Sequence, residues 1–430
     1  MRTARRSLAA AAVITATALT LTGCGRSSDP DAGGTASAAV ADGPATGTIT
    51  LWAMGNEGDR LTQILEGFEE ANPDSDIEIV SVPWGSAYDK VSAAIAADSL
   101  PDLVQVGTTW MGGWAAAGAF DPLPEGLVEP EDFFEGPWGT TEIDGVSYGV
   151  PWNTDPRAFI YRKDFADSLG LEAPTTWDEL TAFTTALQES GQARYGIYLP
   201  PSGTDFWQNV APFALQADAE FLTEDEESFD FDSEGWREGL AYYQSFFTDG
   251  VAETRQLVAG QENVTAFVDG DIGSFIDAPY VLRAAIDQGG PSFADKVGIA
   301  ELPAKDASSE STSLVGGSDW AVSANSDNRD GAWKLAQYFG TPEVQTQWYA
   351  VDGSTPANEA AWTDEITADP ITAVYGAGLE NARSAPTVAT WPQVAASLDT
   401  NFERVAKGSA TPEEALEAIQ NEADAIGLGR

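Results

Sequence analysis

The sequence predicts an α/β protein built as two lobes. Two observations carry that expectation. Strand and helix patterns alternate from Thr48 onward, and the chain, at 430 residues, is too long for one hydrophobic core. Thr48–Trp52 reads as a strand. Leu61, Ile64, Leu65 and Phe68 then recur at i, i+3, i+4 and i+7, one face of a helix, which Asn72-Pro73-Asp74 ends. Ile77 and Ile79 alternate in a second strand, Tyr88, Val91 and Ile95 mark another helix, and Leu103–Val106 is a short buried strand after Pro101-Asp102. This β-α-β-α-β order requires parallel strands with right-handed crossovers. Ligands of such sheets bind beyond the carboxyl ends of the strands, here the loops Gly55–Gly58 and Gly107–Gly113.

Further along, Val146–Val150 and Phe159–Tyr161 read as strands around the segment Pro151–Arg157. Thr176 with Glu179 is a capping-box pattern that opens a helix with Trp177, Leu180, Phe183 and Leu187 on one face. Thr341-Pro342 places an N-cap before a proline at the first helical position, and Thr411-Pro412-Glu413-Glu414 adds a capping box to the same device. The chain has no internal repeat.

The amino terminus carries an address. Arg2, Arg5 and Arg6 precede an apolar run from Leu8 to Leu21, which ends in Leu21-Thr22-Gly23-Cys24. A basic start, a short apolar middle and small residues before the cut make a secretory signal peptide, here 1–23. The run is shorter than the roughly 20 residues that span a bilayer. Cys24, the only cysteine, is the expected acceptor of a lipid, so the chain would leave the cytoplasm and stay tethered to the membrane. Residues 24–47, rich in Gly, Ser, Ala, Thr and Asp, read as a flexible tether.

Composition excludes several functions. The net charge of −47 leaves no basic face for phosphates, so nucleic acid is not an expected partner. It suits a solvated acidic surface, or a cationic ligand such as a polyamine held by acids and aromatic rings. With no histidine in the sequence, Ser-His-Asp and Cys-His catalysis and histidine-dependent zinc sites are ruled out. Acid–base work is left to carboxylate pairs, as in a glycoside hydrolase. Gly112-Gly113 is not followed by Lys-Ser/Thr, so it is no phosphate loop. The 14 tryptophans point the other way. Flat, rigid rings stack on the C–H faces of pyranoses, while carboxylates and amides bind the hydroxyls, so the balance leans towards carbohydrate.

Three segments carry a more specific signal. They are Trp52-Ala53-Met54-Gly55-Asn56-Glu57-Gly58, Gln105-Val106-Gly107-Thr108-Thr109-Trp110 continuing to Trp114, and Gly149-Val150-Pro151-Trp152-Asn153-Thr154-Asp155 leading into Phe159-Ile160-Tyr161-Arg162-Lys163-Asp164. In this order and spacing, over nearly all of 48–425, the chain resembles the solute-binding lipoproteins of carbohydrate ABC importers, the group that includes maltodextrin- and trehalose-binding proteins. The resemblance implies a two-lobed periplasmic-binding-protein-like fold, with a hinge of two or three crossing strands and the ligand in the cleft between lobes. One lobe would hold 48–154 plus 300–352, the other 155–299 plus 353–430. It implies no catalysis and no cofactor or metal. The partners it implies are a carbohydrate ligand, a di- or oligosaccharide on the count of aromatic rings, and permease subunits with a separate ATPase. The protein would be a monomer held by its Cys24 lipid on the outer face of a Gram-positive plasma membrane, or on the periplasmic side in a Gram-negative cell.

Carried over residue by residue, Asn56 and Glu57 fall in the first sugar-contact loop, and Thr108, Thr109 and Trp110 in the second, where the charged pair of the maltodextrin members is missing. Asp155 falls where those members place an acidic sugar ligand. Trp152, Trp207, Asn209, Asp277, Tyr280, Asp319, Trp320 and Trp391 complete the expected set, with Tyr280 and Trp391 as stacking platforms. Trp177, Trp236, Trp333 and Trp348 lie at helical spacing and read as core. Trp52 and Trp114 read equally as core or cleft, and Asp155 and Asp319 equally as ligand contacts or as ion-paired or turn residues.

Overall fold

The computed structural model describes residues 38–55, 57–258 and 261–429. The signal segment, Cys24 and Asn56 lie outside the described residues. Among the described residues eleven strands occur in chain order: β1 Thr46–Met54, β2 Asp74–Val82, β3 Leu103–Gly107, β4 Glu142–Ile143, β5 Val146–Ser147, β6 Val150–Thr154, β7 Ala158–Arg162, β8 Ser274–Asp277, β9 Val297–Ala300, β10 Gly317–Val322 and β11 Thr355–Pro356. Six of them form one sheet in the order β11-β6-β10-β3-β1-β2, and β8-β7-β9 form a second. β1 pairs in parallel with both β2 and β3, as the alternating pattern requires, while β10 enters antiparallel between β3 and β6. β4 and β5 make a separate hairpin.

The hydrophobic pattern explains the layering. Every residue of β3 is buried, as expected for a strand covered on both faces, whereas β2, at the edge, alternates between exposed and half-buried. Leu61, Ile64, Leu65 and Phe68 are all buried on the first sheet. They do not form one continuous helix, however. The helix Glu57–Leu61 is followed by a turn and a second helix, Glu66–Ala71. The Tyr338 hydroxyl donates to the Ile64 carbonyl (2.6 Å), and i→i−3 bonds at Gln63 and Ile64 tighten the chain there. The second sheet is covered by a separate, aromatic-rich core that includes Trp207, Phe221, Trp236 and Trp391.

The helix starts are partly as expected. Thr411 and Glu414 form a full capping box. At Thr176 the hydroxyl accepts the Glu179 N–H, but Glu179 reaches one residue further back, to the Thr175 N–H (2.8 Å). Thr341 does not cap its helix; its hydroxyl donates to the Tyr338 carbonyl instead. The last part of the expected tether is pinned to the body. Arg329 donates to the Ala38 carbonyl (2.6 Å), the Ala45 N–H donates to Asn72 (2.6 Å), and β1 begins at Thr46.

The chain passes between the two sheets at three places: from β6 to β7, from β9 to β10, and after β11. The first two crossings run side by side. The Asp155 N–H donates to the Gly316 carbonyl (3.0 Å), the Arg157 N–H to the Ser313 hydroxyl (2.8 Å), and that hydroxyl back to the Arg157 carbonyl (3.1 Å). Gly317 makes the approach possible. Its φ is +132°, and a Cβ there would lie 2.1 Å from the Asn153 carbonyl oxygen.

Candidate functional site

A buried polar ladder crosses the carboxyl ends of the first sheet. The Gln105 side chain accepts the Met54 N–H (2.7 Å) and donates from Nε2 to Ser318 Oγ (2.8 Å), which donates to Asn153 Oδ1 (3.1 Å). Gln105, Ser318 and Asn153 are all buried, so each must find its partners inside the protein, and together they fix one another. The ladder ends on a charge. Gln105 Nε2 also donates to Glu57 Oε2 (2.9 Å), and Trp152 Nε1 reaches the same oxygen (3.3 Å). Glu57, the first residue of the helix that follows β1, is thereby aimed into the site. Burial, reinforced by the charge of Asp352, raises its pKa well above the ordinary glutamate value against the pull of those two donors.

Asp352 and Asp155 stand near Glu57, and Asp277 joins the group through Asp155. Asp155, at the first crossing, is pushed up to about 6 by burial, with Arg157 opposing and Asp352 and Asp277 adding to the rise. Its Oδ1 is buried and has no hydrogen-bond partner among the described residues. Asp277 ends β8 of the second sheet. It faces Arg157 Nη1 at 3.8 Å and accepts from Asn263 (3.4 Å), and burial raises it while Arg157 lowers it. Asp352 closes the helix Pro342–Asp352, pairs with Arg60 at 2.5 Å and accepts from Ser354 (2.5 Å). Arg157 is held by Gln208 (3.0 Å). Two phenols complete the group. Tyr280, 39% exposed, and the buried Tyr375 both lie in the field of Asp277, Arg157 and Asp155. The Tyr375 hydroxyl has no partner among the described residues, and the ring lines a cavity of about 340 Å³ between the helices Pro279–Gly289, Pro342–Asp352 and Pro370–Glu380.

This arrangement is chemically specific. Partly desolvated carboxylates are acceptors that want O–H or N–H donors. Arginines supply the donors for a ligand's own oxygens, and the tyrosines add apolar faces with a polar edge. Among the described residues no cluster of His, Cys, Asp and Glu is arranged to hold a metal ion.

Of the residues singled out in the sequence, Glu57, Asp155, Asp277 and Tyr280 come together here. Thr108 and Thr109 follow β3 beside the second crossing, with the Thr108 N–H donating to the Gly317 carbonyl (3.2 Å). Trp110 packs into a ring cluster with Trp84, Tyr88 and Trp114. Asn209 is half-buried on the helix Trp207–Leu215.

Five expectations are corrected by packing. Trp152 is fully buried against Trp320, Phe339 and Trp348, and reaches the site only by its N–H to Glu57. Trp320 stacks on Phe339 (4.9 Å between centroids) in the same core. Trp207 and Trp391 meet edge-to-face at 5.0 Å, and Phe221 and Phe229 also pack on Trp391, which is 1% exposed. Asp319 is buried behind the sheet, where Thr140 donates to it (3.2 Å) and burial pushes it well above the ordinary aspartate value. None of the five offers an open face to a ligand.

Arg60, Arg157, Asp352 and Tyr375 were not expected. Asp352 did leave a signal: an acid in the last turn of a helix opposes the helix dipole and needs some other reason to be there.

A cluster assembled from both sheets where the chain crosses between them defines a ligand-binding protein of the two-lobed kind. The chain belongs to the bacterial extracellular solute-binding protein family, whose model matches residues 54–346. Its relatives agree. It is 28% identical over 378 residues to a putative binding protein of Brucella abortus (strain 2308), covering 86% of this chain and 90% of that one. It is 25% identical over 361 residues to the diacetylchitobiose binding protein DasA of Streptomyces coelicolor, covering 83% of each. Among solved structures, it matches the sugar-binding protein MalE of Xanthomonas citri with a TM-score of 0.76 and 28% identity, over 88% of this chain and 97% of that chain. An ABC transporter solute-binding protein of Thermotoga lettingae, bound with α-D-tagatose, matches with a TM-score of 0.79 and 25% identity, over 89% and 100%.

Proposed function

We propose that the protein captures a neutral sugar, a di- or oligosaccharide, in the cleft between its two sheets, and hands it unchanged to the permease of an ABC importer whose ATPase is a separate chain. The observation that carries this reading is the group of four carboxylates drawn from both sheets, Glu57, Asp155, Asp277 and Asp352, beside Arg157 and the exposed Tyr280. Carboxylates accept the hydroxyl protons of a sugar, and a ligand that touches both sheets favours the closed arrangement of the lobes. The family and the sugar-binding relatives support the same reading. Asn56, Thr108, Thr109 and Asn209 belong to the proposed contact set with the acids and Tyr280, and Trp110, enclosed by Trp84, Tyr88 and Trp114, backs that set. In this reading the lobes are 48–154 plus 300–352 and 155–299 plus 353–430. The protein acts as a monomer outside the cell, held at the membrane by a lipid on Cys24. No helix among the described residues is long and apolar enough to cross a membrane.

A melting screen against neutral saccharides tests this. A ligand at 100 times its dissociation constant stabilises the native state by about 2.7 kcal/mol. A saccharide that raises the melting temperature and is recovered intact supports the proposal. Recovery as shorter fragments would mean a hydrolase, and a rise only with polyamines would mean a cation carrier.

A further inference from the structure

The loop before Glu57 also supports an aromatic wall. The helix Trp84–Ala96 begins with an indole that is 40% exposed, among the largest apolar side chains left open on the described surface. Trp84 lies on the backbone of Gly55, where a Cβ would come within 2.8 Å of its Cδ1. That glycine, at φ +59°, lets the ring rest directly on the loop. Behind Trp84 the rings cover one another. Trp110 sits 5.5 Å from Trp84, Tyr88 sits 5.7 Å from Trp110, and Tyr88 stacks on Trp114 at 5.3 Å. Trp110 and Trp114 are buried by this packing, so the wall is rigid and Trp84 is its outer face.

An acid from the other sheet's side faces the wall. Asp205 accepts the Trp207 indole N–H (3.2 Å), and its charge helps to raise the pKa of Tyr88. Its φ of +59° lies in the left-handed region, which aspartate enters more readily than most residues and which Asp98, Asp144 and Asp218 also adopt. Asp399 holds it there, accepting the N–H groups of Asp205 (2.7 Å) and Trp207 (3.0 Å). That clamp pre-organises the acid on the Tyr88 side of the wall.

We infer that Trp84, backed by Trp110 and Tyr88, and Asp205, positioned by Asp399, form an outer subsite that binds the second ring of a saccharide whose first ring lies among Glu57, Asp155, Asp277 and Asp352. This deepens the proposed function and rests on it. The link between the two subsites is the loop itself, since Gly55 underlies Trp84 and Glu57 follows two residues later. Trp84 supplies a flat apolar face for the C–H side of the ring, and the Asp205 carboxylate accepts from its hydroxyls. The protein therefore selects chains of at least two rings over single sugars.

The test is calorimetric titration of the wild-type protein, Trp84→Ala and Trp84→Phe with glucose, N-acetylglucosamine, maltose, maltotriose, cellobiose and N,N′-diacetylchitobiose. The wild type is expected to bind at least one of the longer sugars more tightly than its monosaccharide. Trp84→Ala should cut that preference about tenfold and Trp84→Phe should restore most of it, because stacking depends on the ring. If the wild type binds a longer sugar and Trp84→Ala keeps the full preference, the subsite is wrong while sugar capture stands. If the wild type binds none of the six, sugar capture fails and the subsite with it. Trp84 is 40% exposed, and a native-like melting temperature in Trp84→Ala and Trp84→Phe verifies that the fold is kept.

Discussion

Two aromatic clusters in this molecule are made of the same residue types and differ in one respect. In the cluster behind the second sheet, Trp207, Trp236, Phe221 and Trp391 surround one another completely. In the cluster beside the first sheet, Trp110 and Trp114 are equally enclosed, but Trp84 is left open next to the loop before Glu57. Local sequence did not separate them. Trp391 follows Ala385-Pro386 and resembles a platform, whereas Trp84 follows a proline at an ordinary helix start. A tryptophan's role is set by what covers its faces, and that is a property of the packed sheets rather than of its neighbours in the chain.

Several substitutions test this contrast. Trp391→Ala removes a ring whose surroundings cannot refill and should cost about 3–5 kcal/mol, seen as a fall in melting temperature of the sugar-free protein. A normal melting point in that variant would return Trp391 to the cleft. Gly317→Ala should be comparably damaging, because its Cβ meets the Asn153 carbonyl in a backbone conformation that alanine avoids. Asp155→Asn should act on the ligand instead. Losing a charged acceptor should weaken sugar binding by about 1.5–3 kcal/mol, without loss of stability in the sugar-free state, as titration and melting together would reveal. Trp84→Ala should be mild for the fold, about 1 kcal/mol in denaturant unfolding, because the ring is already 40% exposed.

Protonation sharpens the contrast between site and core. Burial raises Asp155 to about 6, and burial together with the charge of Asp205 raises Asp399 to about 8. The folded protein therefore holds protons that the unfolded chain has released. Its stability should fall as pH rises from about 4, the ordinary aspartate value, to about 8. A melting series across that range tests the sign, and Asp399→Asn should flatten its upper half. Sugar affinity should run the other way and weaken below about pH 6, where Asp155 gains a proton and ceases to be a pure acceptor.

The order of the parallel strands was legible in the sequence, because apolar period and turn residues agreed from Thr48 to Val106. The acids were legible in part. Glu57 and Asp155 lie at strand ends inside the motifs that carried the family resemblance, and Asp277 ends β8. Asp352 and Arg60 were not, since they are brought together across 292 positions by the last turns of two helices. Nor was the buried Gln105–Ser318–Asn153 ladder that aims Glu57, because register across three strands has no local signature.

The most direct test of sugar capture by the carboxylate cluster is a titration of the wild-type protein and Glu57→Gln with the saccharide that most raises the melting temperature. Glu57 sits at the end of the ladder, and its substitution removes a charge without removing a ring. We predict one saturable site in the wild type, sugar recovered intact, and affinity lower by about tenfold or more in Glu57→Gln. Equal affinity in the two proteins, or a wild type that binds no saccharide, would contradict the account.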